Sequence, residues 1–167
     1  LKMLASEGHH TPFEKSSLHF LVTVDQATHI HLLKHRIGVS INGESARYKE
    51  LKEDKTYIPQ DWPLYWQQVL ADYTIKGNDL YHECLTKLEE AGIDRKRAKE
   101  SARFFKTYNS QIQADVMFNW RSFYHFLSLR NKDDAQKEIR EIAAEMLNLV
   151  KNIDGNPFKH TIDAFKL

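Results

Sequence analysis

Basic and hydroxyl side chains are concentrated in residues 34–48, which read KHRIGVSINGESARY. The segment begins with three consecutive basic residues and ends near Arg47, with two serines, an asparagine and Gly43 between them. A guanidinium, hydroxyls and closely approaching backbone N–H groups suit the oxygens of a phosphate group. Basic residues also stabilise the C-terminal end of a helix without binding any ligand, and the segment alone leaves both interpretations open.

A second set of polar side chains lies within an apolar stretch, at Asn119, Arg121, His125 and Arg130. Arg121 and His125 are separated by one helical turn, so a helix places them on one face. An arginine among aromatic and leucine side chains needs a partner, because an unpaired buried charge is costly. The partner is either a bound anion or a carboxylate such as Glu138, and the second case would make the pair purely structural.

Two adjacent histidines, His9 and His10, precede Glu14 in the segment GHHTPFE. Adjacent side chains of an extended loop point in different directions and give no tight ligand spacing, so we predict no metal site. Cys84 is the single cysteine and falls on an apolar helical stripe, which predicts a packed core residue rather than a nucleophile. A single cysteine cannot form an intrachain disulfide, which suits a reducing compartment and a cytoplasmic location.

The composition is that of an ordinary globular chain of 167 residues, with 41% hydrophobic and 28% charged residues. The formal net charge of +1 is too small for a strongly basic nucleic-acid binder, so no nucleic-acid partner is predicted and any anion site is local. No apolar run approaches the roughly 18 residues of a membrane helix, so no membrane partner is predicted. The chain begins at Leu1 rather than methionine, and we expect that an N-terminal segment precedes this sequence.

The elements that position the first polar segment are a strand and a helix. Apolar and polar residues alternate over residues 17–24, which predicts a strand with one buried face. Asp25 is the expected N-cap of a helix that runs to about residue 36, and Gly38 is its expected stop. The predicted apolar stripe of this helix consists of Ile30, Leu33 and Ile37.

The second polar set is positioned by a strand and a helix as well. Residues 111–119 alternate and predict a strand, and residues 120–130 predict the helix that carries the arginines. A further amphipathic helix is expected to start at Asp133 or Asp134 and to end before Pro157.

Between the two polar segments, residues 49–60 predict a loop and residues 63–91 a long helix that Gly77 kinks or splits. Asp94 is the expected N-cap of a helix that ends near residue 105. Long helices with few strands predict a single domain of the α/β class, α+β in type.

Three segments together, GHHTPFE, KHRIGVSINGESARY and NWRSFYHFLSLRNKDDAQKEIR, resemble in order and spacing the signature segments of the flavin-dependent thymidylate synthases, the ThyX family. The family pattern reads G-H-x-[ST]-P-F-E, then R-H-R followed seven or eight residues later by S-x-R-Y. It continues with N-x-R-S and, further along, L-R and A-Q-x-E-I-R. The resemblance covers residues 8–140, and three long motifs in register make it specific.

The resemblance implies a fold in which long helices pack on a small, mainly antiparallel sheet. It implies one catalytic domain over residues 1–167 that lacks the family's N-terminal strand and helix. The implied reaction converts dUMP to dTMP, with 5,10-methylenetetrahydrofolate as carbon donor and FAD reduced by NADPH as hydride source. It also implies a homotetramer whose active sites form between subunits.

The resemblance assigns roles to individual residues. The family's FAD contacts match Thr11, Lys34, His35, Arg36, Asn119, Arg121 and His125. Its dUMP contacts match Glu44, Ser45, Ala46, Arg47, Arg103 and Arg130. Two of the matched residues are implied to be catalytic: Arg130 as the arginine that stabilises the ionised uracil ring, and His9 as the histidine near flavin and folate.

The sequence departs from the family pattern at several positions. Lys34 replaces the first arginine of R-H-R and loses its planar fork. Gly43 stands where the family has a glutamate after the asparagine, and Glu44 comes one residue later. Lys106 begins a Lys-Thr pair in place of a common Leu-Pro. These departures leave two alternatives open. One is a relative that uses the same flavin and folate chemistry on another pyrimidine nucleotide, or that makes a hydroxymethyl product. The other is a catalytically silent flavin- or nucleotide-binding homologue.

Overall fold

The structure is a computed structural model that describes residues 1–45, 47 and 49–167. The described part contains short 3-10 helical turns at Thr11–Glu14 and Arg103–Phe105. Its α-helices are α1 (Lys2–Ser6), α2 (Gln26–Leu32), α3 (Leu64–Glu90), α4 (Arg95–Ala102), α5 (Trp120–Arg130), α6 (Lys137–Lys151) and α7 (Lys159–Phe165). Its strands are β1 (Ser17–Asp25), β2 (Val39–Gly43) and β3 (Gln111–Asn119).

The strands form one three-stranded antiparallel sheet with β3 in the middle, in the order β1-β3-β2. The register of β2 and β3 follows from two backbone hydrogen bonds. Asn119 N donates to Gly38 O at 3.2 Å, and Glu44 N donates to Gln113 O at 2.8 Å. Residue numbers rise along one strand and fall along the other, which confirms the antiparallel sheet that the resemblance implied.

The chain divides into two compact units. The first unit comprises Leu1–Leu21, His31–Ile41 and Asp115–Leu167. The second unit comprises Val22–Ile30 and Asn42–Ala114. The single-domain organisation expected from the sequence stays a prediction.

The core of the first unit is aromatic. The rings of Phe20 and Phe123 stack with centroids 5.5 Å apart, and the rings of Phe118 and Phe126 lie 5.1 Å apart. These four side chains are buried, and such ring pairs add packing energy beyond the area that they bury. α5, the helix that carries the arginines, also packs on α6.

The core of the second unit forms where α3 packs on α4. Tyr81 and Leu85 of α3 are buried with Ala98 and Ala102 of α4. The small alanines let the two helices approach closely. Cys84 packs at the edge of this cluster, as the apolar stripe in the sequence predicted.

α2 is shorter than predicted, because it ends at Leu32 and not near residue 36. Asp25 caps it as expected, with Thr28 N donating to Asp25 Oδ1 at 2.9 Å. The predicted apolar stripe was wrong: Ile30, Leu33 and Ile37 are exposed, and Ile37 retains 91% of its accessible surface. Thr28 and Leu32, one turn apart, are the buried pair instead.

Two further helices differ from the predictions. α3 is one continuous helix, and Gly77 is buried against the carbonyl oxygen of Phe105 rather than at a kink. α6 begins at Lys137, later than predicted, and the backbone carbonyl of Asp133 accepts a hydrogen bond from the Arg140 side chain. Strand β3 and helix α5 have the predicted bounds. No helix in the described part is long and apolar enough to cross a membrane.

Candidate functional site

The end of α5 and the turn after α2 meet in the first unit through one hydrogen bond. Arg130 is the last residue of α5, and its Nε donates to Nε2 of His35 at 3.0 Å. The His35 ring also packs edge-on against Phe126, with centroids 5.0 Å apart. Two of the sequence-predicted site residues are thus in direct contact.

The protonation state of His35 follows from its surroundings. Burial lowers the pKa of His35 to about 4, and the charges of Arg130, His31 and His125 act in the same direction. His35 is therefore neutral at physiological pH. Its Nε2 accepts the bond from Arg130, so Nδ1 carries the ring proton.

The arginine side chains of α5 have different partners from the one the sequence suggested. Arg121 forms an ion pair with Glu14, in the GHHTPFE segment. Arg130 forms no ion pair with a carboxylate among residues 1–45, 47 and 49–167, Glu138 included. The structural pairing therefore applies to Arg121, whereas Arg130 contacts His35 through Nε.

Asn119 connects α5 to the turn before β2. Its side-chain oxygen caps α5 by accepting from Ser122 N at 2.9 Å, and Ser122 Oγ donates to Ile37 O at 2.7 Å. Gly38 has φ +65°, and a Cβ there would lie 2.6 Å from Asn119 Nδ2. A glycine is therefore required on conformational and steric grounds. Gly38, Val39 and Asn119 line a cavity of about 400 Å³.

The other flavin-side residues lie on the surface of the first unit. The exposed residues of this set are His9, Thr11, Lys34, Arg36, Arg121 and His125. His10, for which the sequence predicted no role, packs its ring edge-on against Phe165 at 5.4 Å and Tyr124 at 5.8 Å. No group of three side chains in the described part could hold a metal ion.

Arg130, which is matched to a nucleotide contact, lies in the first unit, and the other nucleotide-side residues that are described lie in the second unit. Arg47 Nε pairs with Glu100 Oε1 at 2.9 Å, and Arg103 Nε donates to Glu100 O at 3.1 Å. Ser45 and Arg103 line one cavity of about 410 Å³. Ala46 lies outside the described residues, so its placement stays a prediction.

Glu44 is bound within its own loop. Its Oε1 pairs with Lys49 Nζ, and its Oε2 accepts from Gln113 N at 3.1 Å. The hydrogen bonds from Lys49 and Gln113 lower the pKa of the Glu44 carboxyl, so it is ionised. Both carboxylate oxygens have partners in the protein, although the group also lines the cavity with Ser45 and Arg103.

Two departures from the family pattern have structural partners in the second unit. A Cβ at Gly43 would lie 2.9 Å from Nε2 of His29, a residue that sequence reasoning missed. The Lys106 side chain is 6% exposed, pairs with Asp54 and donates to Asn78 Oδ1 at 2.8 Å. In the sequence, the departures from the family pattern at Gly43 and Lys106 were the indication of these contacts.

Solved structures define the class of protein to which this fold is similar. The chain superposes on a UMP/dUMP methylase, PolB from Streptomyces cacaoi, bound with 5-Br dUMP, with a TM-score of 0.76 and 26% identity. That superposition covers 99% of this chain and 76% of the methylase. The complex of the same methylase with 5-Br UMP gives a TM-score of 0.72 and 25% identity, over 98% of this chain and 80% of that one.

Sequence comparison gives the family. The model of the family described as thymidylate synthase complementing protein matches residues 1–154. The chain is 31% identical to the flavin-dependent thymidylate synthase of Pseudothermotoga lettingae, over 92% of this chain and 70% of the relative. The Clostridium tetani enzyme of the same name is 30% identical, over 96% and 69%. The chain belongs to the flavin-dependent thymidylate synthases, as the three signature segments indicated.

Proposed function

We propose that this protein converts dUMP to dTMP, with carbon from 5,10-methylenetetrahydrofolate and hydride from FAD that NADPH has reduced. The observation that carries the proposal is the Arg130–His35 contact. A neutral imidazole orients the guanidinium through Nε, and no carboxylate in the described part neutralises it. An arginine so oriented is suited to a ligand that gains negative charge during reaction.

The residues of the first unit fit FAD. Its diphosphate needs cations, and exposed basic groups follow α2 and lie along α5. Gly38, Val39 and Asn119 line one cavity of this unit. The residues proposed to hold FAD are Thr11, Lys34, His35, Arg36, Asn119, Arg121 and His125. Bound FAD supplies hydride chemistry, and this chain's residues bind and orient the reactants.

For dUMP we propose a second set of residues. Ser45, Ala46, Arg47, Arg103 and Arg130 bind the nucleotide. The hydroxyl of Ser45 and the guanidinium of Arg103 line one cavity, and together they suit phosphate oxygens. The carboxylate of Glu44 is bound to Lys49 and Gln113. We therefore assign Glu44 the role of holding the segment that follows β2 and carries Ser45.

Arg130 acts on the reacting pyrimidine as an electrostatic catalyst. Its guanidinium stabilises negative charge on the ring, and His9 lies near flavin and folate in this assignment. A route through a cysteine nucleophile has no candidate in this sequence, because Cys84 packs against the α3–α4 core. Hydride transfer from a flavin requires no protein nucleophile.

We propose a homotetramer in the cytoplasm, with dUMP as the substrate and no nucleic-acid or membrane partner. The support is an apolar surface around the start of α3, formed by Trp62, Tyr65, Trp66, Val69 and Tyr73. These side chains are exposed in the isolated chain, and such a concentration of aromatic residues is typical of an interface. Static light scattering tests the assembly, and a monomer at micromolar concentration would contradict it.

The experiment that tests the function combines a spectrum with a turnover assay. We expect a visible flavin absorbance band after reconstitution with FAD, and dTMP formation from dUMP, folate cofactor and NADPH. Protein that stays colourless with FAD would overturn the proposal. Flavin binding without any turnover would identify a silent homologue.

The similarity to a UMP/dUMP methylase favours one alternative, a relative that methylates or hydroxymethylates another pyrimidine nucleotide. The same assay with UMP separates the substrates. Mass spectrometry separates the products, because a hydroxymethyl nucleotide is one oxygen heavier than its methyl counterpart.

A further inference from the structure

One imidazole nitrogen of the second unit is buried without a partner. Among the described residues, the buried side-chain atoms that lack a hydrogen bond are Thr28 Oγ1, His29 Nε2 and Trp120 Nε1. Such atoms are rare in native proteins, because leaving a buried polar group unpaired is costly. His29 differs from the other two residues because it lines the cavity that also contains Ser45 and Arg103.

The tip of the His29 ring occupies the space of an absent side chain. A Cβ on Gly43 would lie 2.9 Å from Nε2 and 3.2 Å from Cε1 of His29. The family pattern has a glutamate at this position, after the asparagine that corresponds to Asn42. In this chain an imidazole therefore lies where that glutamate would leave the backbone.

Glu44, the nearest acidic residue in the loop, does not replace the missing glutamate. One of its carboxylate oxygens is paired with Lys49, and the other accepts from the backbone of Gln113. Its release would break both contacts. Among the described residues that line this cavity, His29 has a buried side-chain nitrogen, Nε2, that lacks a hydrogen-bond partner.

We propose that His29 binds the pyrimidine nucleotide through Nε2, in place of the glutamate that the family pattern carries after the asparagine. The inference rests on the proposed function and names a further residue of its nucleotide site. His29 and Arg103 line the same cavity, so a nucleotide held there by Arg103 also lies beside His29.

The chemistry of a buried imidazole suits this ligand. Burial lowers the pKa of His29, so the ring is neutral, with one nitrogen as donor and the other as acceptor. A pyrimidine edge presents both donors and acceptors, which a neutral imidazole can match in either tautomer. An imidazole N–H can also donate to a ring that gains negative charge, whereas a carboxylate can only accept.

The test is calorimetric titration of dUMP into the FAD-loaded protein. We expect His29→Ala to weaken dUMP binding roughly tenfold, which corresponds to one lost hydrogen bond, while the flavin absorbance is unchanged. The double variant His29→Ala/Gly43→Glu restores the family's arrangement and should recover most of the affinity. Thr28→Val is the matched control, because it removes a buried unpaired hydroxyl that does not line the cavity.

The outcomes are distinguishable. Unchanged dUMP affinity in a folded, yellow His29→Ala protein overturns the inference and leaves the proposed function intact. Equal weakening in His29→Ala and Thr28→Val would show that both residues act only through packing, and also overturns it. Wild-type protein that binds FAD but not dUMP overturns the proposed function and this inference with it.

Discussion

The two units differ in how their signature residues are engaged. In the first unit, where Lys34 is the departure from the family pattern, several signature residues contact one another: His35 with Arg130, Arg121 with Glu14, and Asn119 with the turn at Gly38. In the second unit, where the pattern is interrupted, the unusual residues contact others outside it. Gly43 lies under His29, and Lys106 pairs with Asp54.

This difference teaches that a departure from a family pattern must be examined together with its contacts. Gly43 in place of the family's glutamate indicates a lost side-chain contact when the sequence is considered alone. In the structure the imidazole of His29 lies beside Gly43. A lysine in place of leucine looks like a buried charge until its partners Asp54 and Asn78 are seen. In the first unit the signature residues contact one another, whereas in the second unit the substituted residues Gly43 and Lys106 contact His29, Asp54 and Asn78.

The largest effect is expected from Arg130→Ala, which removes the central charge of the first unit. Turnover should fall by about 100-fold or more, because loss of one preorganised electrostatic contact has that magnitude. Flavin absorbance should remain, since Arg130 is assigned to the nucleotide. Arg97→Ala is the matched control, because the Arg97 side chain on α4 is 65% exposed. Turnover of Arg130→Ala within a few-fold of wild type would contradict the electrostatic role.

Gly38→Ala tests whether the contacts of the first unit are as tight as the structure indicates. A methyl group there collides with Ser122 and Asn119, and φ is +65°, so we expect a loss of about 3 kcal/mol in unfolding free energy. Gly155→Ala has φ +73° with nothing within 4 Å and should cost only about 1 kcal/mol. Urea denaturation measures both, and equal losses would show that conformation alone matters.

His35→Gln tests the same region by pH. The pKa of His35 is lowered from 6.5 in the unfolded chain to about 4, so its neutral form stabilises the fold above about pH 6.5. That stabilisation is lost as the pH falls towards 4, by about 2 kcal/mol from roughly pH 7 to roughly pH 5. Glutamine can still accept the hydrogen bond from Arg130 but does not titrate. The unfolding free energy of the His35→Gln variant should therefore fall less than that of wild type between roughly pH 7 and roughly pH 5. His160→Gln, on the exposed face of α7, is the control, and identical pH profiles for His35→Gln and wild type would contradict the assignment.

Lys106→Leu restores the family's residue in the second unit and tests the exchanged contacts. We expect the variant to lose about 2 kcal/mol, because Asp54 is left with His82 alone. The loss is smaller than for a fully buried pair since the Asp54 side chain is 33% exposed. The double variant Asp54→Asn/Lys106→Leu should recover part of it in urea denaturation. A single variant as stable as wild type would show that the pair contributes nothing.

Glu44→Gln should have the smallest effect and separates a loop-holding role from substrate binding. The Glu44 side chain is 25% exposed, so loss of its pair with Lys49 should cost less than about 1 kcal/mol. Because its pKa is lowered from 4.5, that contribution exists above about pH 4.5 and disappears as the pH falls further. dUMP affinity should stay within about twofold of wild type. A loss of tenfold or more would return Glu44 to the ligand contacts.

Much of the fold was predictable because its signals are local. Alternation defined β3, and the apolar run after Asn119 defined α5 with the observed bounds. Asp25 and Asp94 were predicted caps, and both accept backbone hydrogen bonds at the starts of their helices. These features depend on residues within a few positions of one another.

The features that were not predictable depend on tertiary contacts. Ile30, Leu33 and Ile37 predicted an apolar stripe, but these side chains are exposed. Thr28 and Leu32 are the buried residues of α2 instead. The aromatic residues around Arg121 predicted that it has a partner. They could not identify Glu14, which is distant in sequence. In the same way, nothing local connects His29 to Gly43 or Asp54 to Lys106.

Gly77 gives the long helix α3 a further role. A Cβ at this position would lie 2.7 Å from the carbonyl oxygen of Phe105, in the turn that begins with Arg103. Because residue 77 is a glycine, the turn that contains Arg103 and Phe105 can pack directly against the α3 backbone. The distance between this turn and α3 therefore determines the position of Arg103. Substitution of Gly77 by alanine in an engineered variant would act as a spacer, shifting Arg103 while leaving every nucleotide-side residue chemically unchanged.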